Sequence, residues 1–204
     1  MATIYNLKSR FQSLLRPCTR ALARAGITAN QVTVSALILS LLSGVTIAAF
    51  PTQNWPLLAL PFVLFIRMAL NAIDGMLARE HNMKSAFGAM LNELGDVVSD
   101  SVIYLAFAFI GGISSIAIVL VVVFAILSEM AGVVAIQIGA SRRYDGPMGK
   151  SDRAFWFGAA AIGIGLGVLP TEWINIGLWV IAALLLYTIY NRICNALKEV
   201  ANAG

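Results

Sequence analysis

Residues 71–100 read NAIDGMLAREHNMKSAFGAMLNELGDVVSD. Their polar and small positions, Asn71, Asp74, Gly75, Ala78, Arg79, Gly88, Asn92, Asp96 and Asp100, follow one another mostly in helical steps of three and four. Such steps gather side chains on one face of each of two helices. The runs on either side, Trp55 to Ile66 and Ser101 to Ile110, carry no charged residue. Carboxylates in apolar surroundings are costly unless they meet a cation, water or a partner, so this stretch predicts two membrane helices that share a functional site.

Composition gives the same class. The chain is 59% apolar and 12% charged, with a mean hydropathy of +0.84, values that exclude an ordinary soluble domain. Uncharged or nearly uncharged runs cover 32–50, 55–66, 101–110, 116–127, 155–169 and 174–190. Most fall short of the roughly 20 residues that span a bilayer, so the helices must extend through their polar ends. The expected fold is an all-α integral membrane protein in which an N-terminal amphipathic in-plane helix precedes six transmembrane helices. A chain of 204 residues leaves room for one domain, 1–204, with 1–26 juxtamembrane and 27–198 the six-helix bundle.

The fourteen Lys and Arg residues avoid the short loops near 51–56, 111–115 and 170–173. With six spans, every basic residue falls on one side, and the positive-inside rule places both termini and the 79–86 and 139–153 loops in the cytoplasm. Trp55 and Trp173 then mark the opposite interface, and Trp156 the cytoplasmic one. The net charge of +4 reads as a topology signal and an attraction for anionic membrane lipids, not a nucleic-acid footprint. In residues 3–25, Ile4, Leu7, Phe11, Leu14, Leu15, Cys18 and Leu22 recur at helical spacing, with Lys8, Arg10, Arg16, Arg20 and Arg24 mostly elsewhere around the turn. That pattern predicts a helix lying in the membrane surface or packed on the loops, without a signal peptide's apolar core or cleavage site. Thr28 or Asn30 caps the first span. Cys18 and Cys194 suggest no disulfide, and His81, the single histidine, stands in a polar loop, so a zinc site or histidine triad is hard to build.

An antiparallel hairpin closed by the Glu80 to Ala86 loop brings Asn71 and Asp74 opposite Asn92, Asp96 and Asp100. A ligand set of oxygens alone suits hard cations such as Mg²⁺, Mn²⁺ or Ca²⁺. Gly75, Ala78 and Gly88 permit close approach of a backbone or a phosphate, and Arg79 can hold a phosphate as a planar fork. Metal, phosphate and a spare carboxylate are the parts of a phosphoryl-transfer site.

The motif resembles that of the CDP-alcohol phosphotransferases (CDP-alcohol phosphatidyltransferases), Asp-x2-Asp-Gly-x2-Ala-Arg-x8-Gly-x3-Asp-x3-Asp, and its spacing is matched at every position. Within that family the whole chain looks most like the YnbA-type bacterial inner-membrane proteins. The resemblance implies a cytoplasmic-side enzyme, usually a homodimer. It would use Mg²⁺ or Mn²⁺, one or two ions, to move a substituted phosphate from CDP-diacylglycerol or another CDP-linked donor to an alcohol acceptor, releasing CMP for phospholipid biosynthesis. It makes Asp74 and Asp96 metal ligands and Asp96 the general base. Asp74, Gly75, Ala78, Arg79 and Gly88 become contacts to the cytidine diphosphate.

Two positions depart from the pattern, because Asn71 and Asn92 stand where the family has Asp. An amide can lend a carbonyl oxygen to a metal but no negative charge. Asp100, one turn beyond Asp96, can restore charge or pair within the bundle, while Glu93 lies on an adjacent face. Arg67, four residues before Asn71, can supply charge that a metal supplies elsewhere, and Glu129 is expected to make a structural bond or a contact to Arg67. Lys150 and Arg153, where the fifth span opens, can hold the phosphate of a phosphorylated acceptor or serve only as topology charges. The alternatives to an active transferase are a family member that binds nucleotide-lipid without turnover and, from a different class, a transporter using Asp96 and Asp100 as an ion relay.

Overall fold

A computed structural model of the chain describes residues 4–203, with side chains from Arg10 to Asn202. Among the described residues seven α-helices follow in order: α1 Ile4–Arg24, α2 Ala29–Ala49, α3 Trp55–Glu80, α4 Ala86–Ala106, α5 Ser115–Val134, α6 Lys150–Gly165 and α7 Thr171–Ala203. No strand occurs among the described residues. The side chains of Ile4, Leu7 and Lys8 in the expected amphipathic pattern lie outside the described ones. The chain divides into two compact units, one within Met1–Leu42 and Phe62–Ser99, the other within Ser43–Pro61 and Asp100–Gly204.

In the first unit, α1 packs on the start of α2 and the second half of α3. Ala29, Val32, Ile73, Met76 and Leu77 form the buried core, with Leu15, Leu22, Ala23 and Ile27 packed against it. The corner between α1 and α2 has a local cause. Gly26 takes φ 76°, and the N–H groups of Gly26 and Ile27 return to the carbonyls of Ala23 and Leu22, the paired bonds of a Schellman stop. Two residues later the Gln31 N–H donates to Thr28 Oγ1 at 3.3 Å while the Thr28 N–H donates to Gln31 Oε1 at 2.9 Å. This capping box selects Thr28 over Asn30 as the start of α2. The corner between α3 and α4 uses Asn82 at φ 57°, a conformation asparagine tolerates better than most residues. Ser85 Oγ then accepts from the Gly88 N–H at 2.9 Å and caps α4.

In the second unit α5 packs on α7. The turn before α5 is locked by Asn175, whose Oδ1 accepts from the Ser114 N–H at 2.8 Å and whose Nδ2 donates to the Gly112 carbonyl at 2.9 Å. Tyr104 stacks on Phe157 at 4.0 Å between ring centroids, and Phe107 meets Phe157 edge-on at 5.0 Å.

Among the described residues six α-helices follow α1, but length and composition qualify four stretches to cross a membrane: Ala29–Ala49, Trp55–Glu80, Ser115–Ile138 and Thr171–Asn202. The other two of the six expected spans correspond to α4, which carries Glu93, Asp96 and Asp100, and α6, which has only 16 residues. Large apolar side chains stay exposed along the qualifying helices, among them Leu42, Val45, Phe62 and Val180. An apolar exterior of this extent is what a hydrocarbon solvent requires.

Candidate active site

The first unit assembles the motif as the hairpin geometry requires. From α3, Asp74 is buried, at 4% exposure, and its Oδ2 accepts from Thr33 Oγ1 at 2.8 Å and from Asn92 Nδ2 at 3.4 Å. From α4, Asp96 Oδ1 accepts from Asn71 Nδ2 at 3.0 Å. Arg67 is buried, at 3% exposure, and its Nη2 reaches Asp96 Oδ1 at 3.5 Å and the Asp96 carbonyl at 3.3 Å. Each asparagine that replaces a family acid thus turns its N–H toward a remaining carboxylate. That orientation follows from charge, since the amide nitrogen is the donor end and the carboxylate only accepts.

Beside these groups lies a cavity of about 710 Å³, walled by Asp74, Gly75, Ala78, Arg79, Gly88 and neighbouring residues of the same unit. Its small residues are needed for space. A Cβ on Gly75 would stand 3.1 Å from Arg79 Nη1, and one on Gly88 only 2.5 Å from Asn30 Oδ1. Asn71, Asn92 and Glu93 also face the cavity, as do Asn30, Thr33, Lys84 and Ser85, which sequence reasoning missed. Thr33 was open to discovery as a hydroxyl one turn inside an apolar span. Lys84 and Ser85 carried no signal beyond lying in the hairpin loop.

Among the described residues no group of three or more His, Cys, Asp or Glu side chains could hold a metal ion. The available set is instead the carboxylates of Asp74 and Asp96 with the amides of Asn71 and Asn92. All can offer oxygens, which fits a hard divalent ion.

The remaining candidates belong to the second unit. Asp100, expected to add charge beside Asp96, is 5% exposed and accepts from Arg153 Nη2 at 3.2 Å. Arg153, at 1% exposure, also donates to Glu129 Oε1 at 3.1 Å and, more weakly, to the Met148 carbonyl at 3.4 Å. Glu129 meets Arg192 at 3.4 Å and Arg142 at 3.8 Å as well, so arginines of its own unit supply the contact that the sequence sought in Arg67. At the start of α6 the Gly149 N–H donates to Asp152 Oδ2 at 2.9 Å; an acid of the chain itself caps the turn from which Lys150 projects. In the preceding loop, Arg143 grips Asp145 through Nε and Nη2 at 2.7 and 2.8 Å, and this bidentate bond holds the Asp145 carboxyl below the usual carboxylate range.

The family model for CDP-alcohol phosphatidyltransferases matches residues 26–193. The chain belongs to the CDP-alcohol phosphatidyltransferase family. It is thereby a membrane phosphotransferase of phospholipid biosynthesis. One relative, the inner membrane protein YnbA of Escherichia coli, is 47% identical over 93% of this chain and 94% of its own length. The phosphatidylinositol phosphate synthase of Mycolicibacterium smegmatis is 25% identical over 95% of this chain and 88% of its own. The fold matches that of Mycobacterium tuberculosis phosphatidylinositol phosphate synthase solved with CDP-DAG bound, at a TM-score of 0.74 and 22% identity over 90% and 92% of the two chains. That synthase is also known in complex with manganese and citrate, matching here at a TM-score of 0.73 and 22% identity over 90% and 88%.

Proposed function

We propose that this phosphotransferase moves a substituted phosphate from a CDP-linked donor, foremost CDP-diacylglycerol, to the hydroxyl of an alcohol acceptor and releases CMP. The observation that carries the reading is a cavity walled by Asp74, Gly75, Ala78, Arg79 and Gly88 together, the positions the family motif devotes to the nucleotide. Gly75 and Gly88 leave room for the diphosphate, and the Arg79 fork steadies the CMP that departs. Asp96 accepts the acceptor's proton as the new oxygen–phosphorus bond forms and the bond to CMP breaks. Asp74, Asp96 and the amide oxygens of Asn71 or Asn92 would hold a divalent ion, Mg²⁺ or Mn²⁺, which would neutralise charge on the diphosphate. Thr33, bonded to Asp74, acts as a positioning residue for that carboxylate.

In the membrane, α2 to α7 form six crossings of a single domain, and α1 lies in the surface plane. The site and both termini face the cytoplasm of the inner membrane, and the protein works as a homodimer. Lys150, with Arg153, is assigned to the phosphate of a phosphorylated acceptor, a role in which Arg153 exchanges one of its carboxylate partners for that phosphate. Asp100 contributes through Arg153.

The test is CMP release by purified, detergent-solubilised protein from CDP-diacylglycerol, with Mg²⁺ or Mn²⁺, across a panel of phosphorylated and unphosphorylated alcohols. Release that needs both acceptor and metal is expected. The two asparagines favour one other reading, a protein that binds the CDP-lipid without turnover; binding by calorimetry with silence across the panel would select it.

A further inference from the structure

Among the described residues of the first unit, six ionisable groups line the donor cavity or contact its acids. The acids are Asp74 and Glu93 on the cavity wall and Asp96 behind them. The bases are Arg79 and Lys84 on the wall and Arg67, buried against Asp96. In this set three negative charges meet three positive ones, and their formal charges cancel. A chain with Asp at 71 and 92 would instead carry two surplus negative charges there.

A CDP-linked donor brings two negative charges on its diphosphate. In this chain one divalent cation cancels them, and a second would leave two uncompensated positive charges. Such a surplus is costly in surroundings poorer in water than bulk solvent. With acids at both positions, donor and protein together would present four negative charges and call for two cations.

Geometry points the same way. Asp96 Oδ1 is approached by the Asn71 amide at 3.0 Å and by the Arg67 guanidinium at 3.5 Å. A second cation entering between Asn71 and Asp96 would meet that guanidinium and the hydrogens of that amide. At Asp74 the Oδ2 receives the neutral donors Thr33 and Asn92.

We propose that this site binds a single divalent ion, and that Arg67, with the amides of Asn71 and Asn92, stands in place of a second. The proposal rests on the donor-binding reading above.

The test counts ions without turnover. Full-length protein in detergent is titrated with Mn²⁺ in the presence of CDP-diacylglycerol and no acceptor, free Mn²⁺ being followed by electron paramagnetic resonance and lipid binding by calorimetry. One Mn²⁺ per chain is expected for the wild type. Two are expected for the double variant Asn71→Asp, Asn92→Asp, which restores both charges with little change in volume. Two ions in the wild type would overturn the proposal and leave the donor reading intact, as would a lipid that binds with no ion. One ion in both proteins would show that charge does not set the number and would also overturn it. Failure of the wild type to bind either the lipid or Mn²⁺ would remove the donor reading itself.

Discussion

Replacing Glu129 by Gln tests whether the arginine cluster of the second unit is a structural keystone. The carboxylate faces Arg153 at 3.1 Å, Arg192 at 3.4 Å and Arg142 at 3.8 Å. Arg153 and Arg192 are 1% and 2% exposed. Glutamine keeps the shape but turns an NH₂ group toward one of these guanidinium groups, donor against donor. A hydrogen bond to a charged group contributes about 1.5–3 kcal/mol, and breaking a buried ion pair costs about 3–5 kcal/mol. Arg153 retains Asp100 and Arg192 retains the Ser128 and Asp145 carbonyls, so the loss falls near the lower limit, about 3 kcal/mol. At about 2–4 °C per kcal/mol for a chain of this size, Tm should fall by about 6–12 °C. The control is Arg16→Ala. It breaks the Arg16–Glu80 pair, whose side chains are 44% and 37% exposed, and solvent screening limits its effect to below about 1 kcal/mol. Tryptophan fluorescence during heating in one detergent compares the two. A Glu129→Gln melting point no lower than that of Arg16→Ala would refute the keystone role and return Glu129 to an ordinary screened charge.

Asp96→Asn should lower kcat by at least about 100-fold, the usual scale of a general base, while CDP-lipid binding measured by calorimetry stays largely intact; normal turnover would remove Asp96 from that role. Gly75→Ala places a methyl 3.1 Å from Arg79 Nη1 and should raise KM for the donor several-fold through displacement of that fork, measured in the CMP-release assay, with Tm little changed. Asp100→Asn removes a charged acceptor from buried Arg153 and should lower Tm by several degrees; a shifted Mn²⁺ titration at unchanged Tm would instead place Asp100 at the metal. Because Arg143 lowers the Asp145 pKa on folding, that bond stabilises the protein above the ordinary carboxylate pKa. Its contribution is lost as pH falls through the depressed folded value. Asp145→Asn should therefore flatten the acid limb of the Tm-against-pH curve, and an unchanged limb would show that the pair contributes nothing measurable.

Much of this molecule is determined by local sequence. Apolar runs interrupted by acids at steps of three and four specify membrane helices with one polar face, because that periodicity is a property of the helix itself. Gly26 followed by Thr28 and Gln31 specifies the corner between α1 and α2 through bonds no more than five residues apart. The spacing from Asn71 to Asp96 likewise picks out the motif residues and their two departures from the family pattern.

Tertiary structure decided which of several partners each buried charge would take. Arg67 could be placed near the site from its spacing, but its bond to Asp96 spans 29 residues, and that of Arg153 to Asp100 spans 53. Glu129 had several arginines within plausible reach and found Arg142, Arg153 and Arg192, one of them 63 positions away. Thr33 met Asp74 across 41 residues, and Lys84 joined the cavity wall only because the hairpin folds back on itself. Periodicity assigns a side chain to a face, whereas the choice of partner depends on which helices pack together and which charges must then be compensated away from water.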